Sequence, residues 1–533
     1  MLVVDTSLVD EEATGFTSSE VYWIYNGLDC CITMEIFEVL EQQLDEVTRE
    51  TYRVAMETVG PVMEMMLEGL PVNNAARDKA YRAYEAQYFK LEHGFKRLCC
   101  EGLDIPADRR KRKGRSPVPV NIASPKDVQF LFHEVLGIPE KRKLRKGASE
   151  ATATSDRETL EGFRNYFFAE PFVNYILAMR DAGKAMGFLK TPLDTDNKIR
   201  CSFNVAGTNT GRMASSFSDM GTGTNLQNIS GRQKGIFWAE HGWVIVDVDL
   251  EQGDSRGVGA LCWNFFLESH GEEFAGKYLD ACESGDLHTT VCRMAWPNLD
   301  WGVDPSGWRK VANQLAYRDK SYRDLSKVLG HGSNYMGQPT TMAGHTKTPS
   351  PIIQEFQKSY FGAFPCIQAW QKETIRRVQT TGQLTSLWGR RRYFWGDTSK
   401  QSVLNAAIAY DPQSTTGEFT NRGMLQLFKI RNKLDLPIRF LLQVHDSLVF
   451  MVKEDRLNET IPQILNYLRV VKRLKGGREF SIPHGCKVGW NYGSASEENP
   501  YGLSAWKGEE SRRPPKRVAT LSEILSRQIS GVR

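Results

Sequence analysis

The sequence predicts an α+β fold, a small sheet set among many helices. Three observations carry that reading. WVIVDVDL, residues 243–250, is a short apolar run interrupted only by aspartates, and reads as a buried strand. FLLQVHDSLVFMV, residues 440–452, reads as two short strands around a tight His-Asp turn. Residues 256–430 between them, and most of the chain before residue 200, follow a helical period.

Each element has a local cause. The N-terminal segment to about residue 60 reads as a loop and then an amphipathic helix, because Ile32, Ile36, Val39 and Leu40 recur at helical spacing. Helical pattern continues over 61–100. ADRRKRKGRSPVPV, residues 107–120, reads as a charged loop punctuated by Gly and Pro. Residues 124–137 read as a short helix with Ser124 as N-cap, Pro125 in the first turn and Gly137 as its stop. A second basic loop covers 140–156, and 156–190 is again helical. A Pro/Gly-rich loop is expected near 337–351. Residues 494–533 read as a flexible basic tail with a short helix at 520–529.

Composition narrows the class. With 41% hydrophobic and 25% charged residues, the chain is an ordinary globular one, neither wholly disordered nor collagen-like. No run approaches the ~18 apolar residues of a membrane span, and no secretory leader is expected. A length of 533 residues suggests three or four folded units of roughly 150 residues each. The ten cysteines contain no C-x-x-C and read as reduced thiols of a cytosolic protein. The nine histidines show no zinc spacing. The net charge of +4 conceals an acidic start, with 15 Asp/Glu against 2 Arg in residues 1–70. It also conceals a basic stretch, with 12 Lys/Arg against 4 acids in 107–146. Such asymmetry points to a polyanionic partner.

Two chemical constellations stand out. Asp249 ends an apolar strand near Glu251 and Asp254, and Asp446 sits on a hairpin turn. A strand end and a hairpin tip of one sheet can approach each other, and two such carboxylates can hold a pair of Mg²⁺ ions. Either aspartate taken alone is equally well a turn cap. The second is YRDLSKVLGHGSNYMGQP, residues 322–339, where Arg323, Lys327, His331 and Tyr335 are four apart. On a helix they form one stripe running from cationic to aromatic, the polarity of a nucleoside triphosphate. Gly330 and Gly332 would then let bare backbone approach the ligand. A solvated basic face turning into an aromatic core end is the alternative.

On these motifs, taken in order, the chain resembles the family A DNA polymerases over roughly 60–495. DLEQGDSR (249–256) resembles D-Y-S-Q-I-E-L-R, DLHT (286–289) resembles D-I-H-T, and QVHDSLV (443–449) resembles Q-V-H-D-E-L-V. R-x3-K-x7-Y is met by Arg323, Lys327 and Tyr335. TNTGRMASS and TNLQNISGR, within 208–232, LWGRRRYF at 387–394 and the block 121–139 agree with further family elements. The resemblance implies a right-hand polymerase fold: a palm with an antiparallel sheet, helical fingers and a helical thumb. The implied boundaries are an exonuclease remnant at 1–55, thumb at 56–195, palm at 196–262 and 405–495, fingers at 263–404 and a tail at 496–533.

It also implies roles. Asp249 and Asp446, with the backbone of Leu250, would hold two Mg²⁺ ions, and Lys327 would join the two aspartates in catalysis. Arg323, Lys327, His331, Tyr335, His288, Gln252 and Asp254 would bind the dNTP. Arg212, Arg232, Gln413, Gln443, His445 and Arg390 would contact primer-template DNA, with the basic loops gripping its backbone. Four positions depart from the family pattern: Asp254 for the usual Glu, His331 for Phe or Tyr, Ser447 for Glu, and Ala409 for Asn. YNGLDC, 25–30, resembles the last motif of the family's 3′–5′ exonuclease, making Tyr25 and Asp29 remnants, while VVDTS at 3–7 lacks the Glu of the first motif. The expected function is DNA synthesis by a two-metal mechanism without proofreading, for phage genome replication in a bacterial cytoplasm. The expected partners are primer-template DNA, dNTPs, and a separate exonuclease chain or processivity factor, with no membrane. A single-subunit RNA polymerase and a non-catalytic DNA-binding protein on the same scaffold are the alternatives.

Overall fold

The computed structural model describes residues 15–112, 115–144, 151–219 and 222–508. The segment 3–7 and the helix expected at 520–529 lie outside these residues. Helix α1 (Ser18–Gln42) starts at a capping box in which Thr17 and Glu20 satisfy each other's backbone N–H. The expected helix is therefore present, but none of its side chains is buried. Helix α2 (Glu46–Glu68) buries Val54, Thr58, Val62 and Met65. Its carboxylates Glu50, Glu57, Glu64 and Glu68 meet Arg422, Lys429, Arg431 and Arg439. Four of the fifteen acids in the first 70 residues are thus neutralised within the fold.

Helix α3 (Asn74–Leu103) packs along α4 (Glu170–Leu189) over a core that includes Phe95, Cys99, Phe132, Phe172 and Ile176. The two basic segments expected as loops each form a two-stranded ribbon, Arg110–Arg112 with Arg115–Val118 and Arg142–Leu144 with Ala151–Ala153. Strands of charged and small residues show no apolar alternation, so their sequence hides them. The first ribbon is pinned by buried Asp127, which takes Arg110 Nε at 2.8 Å and the Asn121 N–H at 3.0 Å. Ser124 caps the next helix as expected, but after Pro125–Gln129 the helix widens into a π-helical turn over Phe130–Val135.

The central sheet begins with β1 (Trp243–Leu250). Helix α5 (Gly253–Glu283) follows, broken at Gly271, then α6 (Leu287–Ala295) and α7 (Tyr322–Asn334). The loop expected near 337–351 contains the helix Pro339–Thr346, with Pro339 in the first turn, where no N–H is needed. After α8 (Pro365–Thr381) comes a short ribbon, β2 (Gln383–Thr385) with β3 (Arg391–Tyr393). Then come α9 (Gln401–Arg431), β4 (Ile438–Val444), β5 (Ser447–Lys453), α10 (Leu457–Leu468), β6 (His484–Gly489) and β7 (Ser504–Ala505). The five sheet strands are all antiparallel, in the order β4-β5-β1-β6-β7. Residues 494–508, expected in the flexible tail, instead close the sheet edge, with Leu503 buried.

Side chains alternate across β1 with period two. Val244, Val246 and Val248 pack with Met424 and Leu427 of α9 and Ile461 and Ile464 of α10. Ile245 enters the opposite core, with Leu442, Met451 and Tyr492. Asp247 and Asp249 continue that second face, so a face that begins as core ends as carboxylates.

Asp411 on α9 is a buried acid, accepting from the Leu387 N–H at 3.0 Å and the Thr415 hydroxyl at 3.2 Å. Burial pushes its carboxyl up to about 7. The folded chain therefore holds this proton where the unfolded chain, with an Asp value of about 3.9, releases it. This group's contribution to stability is fully present below about pH 4 and is lost as pH rises through about 7. Asp411→Asn keeps an acceptor and removes the ionisation. Its stability relative to wild type should rise by roughly 2–4 kcal/mol between about pH 4 and pH 8. Denaturant melts of both chains across that range check this, and a pH-independent gap contradicts it.

Candidate active site

Asp446 and His445 are the two residues of the turn joining β4 to β5. His445 takes φ 57, the left-handed backbone that tight hairpin turns require. Because β5 lies between β4 and β1, the turn sits beside the end of β1. Ser447 is opposite Asp249, and the Leu250 N–H donates to the Asp446 carbonyl at 3.2 Å. Burial and then the neighbouring charges of Asp446 and Asp247 push the Asp249 carboxyl up to about 6. Asp446 is raised as well, first by burial, with Arg212 opposing. Two half-buried carboxylates that repel each other form a place where a cation is favoured.

Among the described residues, no group of three or more His, Cys, Asp or Glu is arranged to hold a metal. The two carboxylates are the donors on hand, and Leu250 ends β1 beside them with its side chain buried. That all-oxygen set leaves much of a coordination shell to water and phosphate, which suits Mg²⁺ and not zinc.

Beside the pair, four segments meet on one carboxylate. Asp254 in the first turn of α5 accepts from Arg212 Nη2, the Thr416 hydroxyl and the Tyr335 hydroxyl, each at 3.0 Å. Gly253 makes this approach possible, since a Cβ there would lie 2.7 Å from the Thr416 methyl. Burial and Asp254 push the Tyr335 phenol far up, so it remains a donor. Gln252, in the left-handed turn before α5, leaves a buried side-chain oxygen with no hydrogen-bond partner.

A second cluster lies on α7, capped by Ser321. Leu325, Ser326, Leu329 and Ser333 face inward, Lys327 and His331 are exposed, and Tyr335 stands just past the helix end. The expected stripe is therefore real. The two glycines differ in their surroundings. A Cβ on Gly332 would lie 2.5 Å from the Met342 side chain, and one on Gly330 would lie 3.7 Å from Tyr360. Gly332 thus faces the end of the Met342 side chain, whereas a Cβ on Gly330 would make only an ordinary contact, so packing against a neighbouring helix bears on Gly332 alone.

Arg323 is gripped at two points by Asp286, Nε to Oδ2 at 3.0 Å and Nη2 to Oδ1 at 2.8 Å. That edge-on grip leaves Nη1 free for an anion. Asp286 also caps α6 through Thr289. His288 follows in the first turn of α6, held down to about 4 by burial and by Arg323. One aspartate thus fixes two candidate phosphate contacts. Sequence reasoning missed Asp286 and Thr416. The Asp-x-His-Thr spacing, with an N-cap two residues before the histidine, is the signal that could have found the first.

The other expected residues are more dispersed. Gln443 is buried and donates to the His445 carbonyl at 2.5 Å, with Gln227 bonding to it in turn. Arg390 is tied to buried Glu418 at 2.7 Å. Arg232 is exposed in a loop lining a cleft of about 1370 Å³ between that loop and helices α3 and α4. Gln413 lies on α9 next to Pro412, with no hydrogen bond to the carboxylates among the described residues. Tyr25 and Asp29 stand one turn apart on α1, away from any buried core.

Residues 109–273 and 306–493 match the family model of DNA polymerase family A. The chain belongs to that family. It is 28% identical over 391 residues to the thermostable DNA polymerase I of Thermus filiformis, covering 70% of this chain and 41% of that protein. It is 26% identical over 357 residues to DNA polymerase I of Mycobacterium tuberculosis, covering 62% and 34%. The family A chain thus spans well under half of these relatives. Among solved structures, the POL domain of Pol1 from M. smegmatis, in complex with DNA primer-template and dNTP, superposes with a TM-score of 0.66. That match has 20% identity and covers 87% of this chain and 75% of that one. The right-hand polymerase fold follows.

Asp286→Asn keeps the cap but weakens the grip on Arg323. With Arg323 as a phosphate contact, the substitution should weaken nucleoside triphosphate binding by about tenfold, the scale of one charge-assisted hydrogen bond, measured by equilibrium titration. Unchanged affinity would contradict the role given to the Asp286–Arg323 pair.

Proposed function

We propose that the protein is a template-directed DNA polymerase that adds dNTPs to a primer 3′-hydroxyl. The observation that carries this reading is the register placing Asp249 beside Asp446, with the Arg323–Lys327–His331–Tyr335 stripe leading to them through Asp254. Family membership supports it, as does a structural neighbour solved in complex with DNA primer-template and dNTP.

In this reading Asp249, Asp446 and the Leu250 carbonyl would hold the divalent cations. When bound, these ions supply charge stabilisation for an attacking hydroxyl and a leaving phosphate oxygen. The remaining work belongs to the chain. Arg323, kept extended by Asp286, and His288 bind the phosphate tail. Lys327, one turn along, gives a proton to the departing pyrophosphate oxygen. His331 and Tyr335 pack against sugar and base, with ring centroids 4.8 Å apart. Asp254, drawn in by Arg212 and Thr416, forms the floor beneath the sugar. Arg212, beside Asp254, faces the minor groove near the primer terminus, and Gln443 and His445 stand at the primer end. Arg232, Gln413 and Arg390 contact the DNA farther out. Tyr25 and Asp29 on α1 take no part in this chemistry, and the reading assigns the chain no proofreading of its own. Its setting is phage genome replication.

A single-subunit RNA polymerase would use the same pair of aspartates, and a non-catalytic clamp would use neither. Primer extension with dNTPs and NTPs in parallel separates the three. Asp249→Ala and Asp446→Ala should each abolish extension while leaving primer-template affinity within about twofold. Lys327→Ala should lower kcat by roughly 10²–10⁴, the range of a lost general acid. A fully active Asp249→Ala/Asp446→Ala chain would overturn the assignment.

A further inference from the structure

The ribbon β2–β3 presents an aromatic pair that the proposed chemistry leaves unused. Its core-facing side is firmly anchored. Phe394 is buried against Tyr410, its N–H donates to the Gly382 carbonyl at 2.8 Å, and the Tyr410 hydroxyl donates to the Arg390 carbonyl at 2.6 Å. Arg392 lies over the Phe394 ring at 4.6 Å. Alternation along the strand then sends the two flanking residues outward. Tyr393 is 52% exposed and Trp395 is 84% exposed. Their rings stack on each other, with centroids 5.7 Å apart and planes at 24°. Two large flat apolar faces are thus held in water on a rigid support. Isolated exposed aromatics are common, but a stacked pair on an anchored strand is an interaction site.

What covers the pair follows from charge and place. Residues 383–400 carry Arg390, Arg391, Arg392 and Lys400 against the single acid Asp397. Arg390 is paired with Glu418 and Arg392 lies inward over Phe394. That leaves Arg391, paired at the surface with Asp45, and Lys400 as the exposed cations beside the aromatic pair. A basic ribbon with open aromatic faces is the composition that binds unpaired nucleic acid, because bases stack on the rings and the cations follow the backbone. The ribbon is also continuous with the candidate active site. A Cβ on Gly211 would lie 2.4 Å from Arg390, and the next residue, Arg212, bonds Asp254.

We propose that Tyr393 and Trp395 form a stacking platform for unpaired bases of the template strand. This rests on the polymerase reading for the identity of the strand, but not for the chemistry of the surface. The platform takes bases without regard to sequence, since every base has a stacking face.

The test compares two labelled substrates by fluorescence anisotropy. One is a primer-template with a single-stranded 5′ extension of about 12 nucleotides, and the other is the same duplex with blunt ends. Tyr393→Ala/Trp395→Ala should weaken binding of the extended substrate by roughly 5- to 100-fold, the scale of stacking on an aromatic side chain. Affinity for the blunt duplex should be unchanged, and Trp395→Phe should restore most of the loss. An equal effect on both substrates, or no effect on either, overturns the platform, and the second result would leave the pair as a protein-docking surface. Matching thermal melts of wild type and variants exclude a folding defect. A single-stranded oligo(dT) is titrated alongside. If the wild-type chain fails to extend primers, the polymerase reading falls while loss of oligo(dT) binding in the Ala variant still supports the platform.

Discussion

The site depends on the pairing register between β1 and β5. Ser447 stands opposite Asp249, so the turn that carries Asp446 is fixed beside the end of β1. A slip of one residue would turn both Asp247 and Asp249 into the valine core and expose Val246 and Val248. The apolar half of β1 therefore determines where its polar half can be. Valines packed on α9 and α10 hold the strand, and the carboxylates accept a repulsion that they would not adopt on a flexible loop.

The other half of the site is organised around single carboxylates that each serve several partners. Asp254 gathers Arg212, Thr416 and Tyr335, and Asp286 gathers Arg323 and the start of α6. An ionised acid accepts several hydrogen bonds at once, and such bonds are stronger than neutral ones. The shorter Asp254 reaches less far than a Glu would, and Thr416 and Arg212 come to it. The pocket floor is thus set by three segments distant in sequence.

Much of this was legible in the chain and some was not, for identifiable reasons. Asp249 and Asp446 could be found because each sits on a short apolar run with strand signals. The α7 stripe could be found because four-residue spacing is local. Thr416 and Arg212 could not be joined to Asp254, since that contact spans more than one element and carries no periodic signal. The basic ribbons around 110–118 and 142–153 read as loops because their strands hold few apolar residues. Gly332 was ambiguous because close packing between helices leaves the same glycine signature as close approach to a ligand. The apolar period of α1 was read correctly as a helix, but a period cannot say whether a core lies beneath it.

The acids of α2 have one more consequence. Glu57 and Glu50 both hold Arg53, Glu50 reaches Arg422, Arg422 holds Glu418, and Glu418 holds Arg390. Signs alternate at every link, and the inner members Glu418 and Arg422 are largely out of water. This line of charges connects the outermost surface of α2 with the ribbon that bears Tyr393 and Trp395. Ionic strength would act on its two ends unequally, because the outer links are bathed in counterions and the inner ones are shielded. The outer helix and the ribbon are in this sense one electrical object. A change in the acids of α2 would alter how freely Arg390 can turn from Glu418 to any other anion.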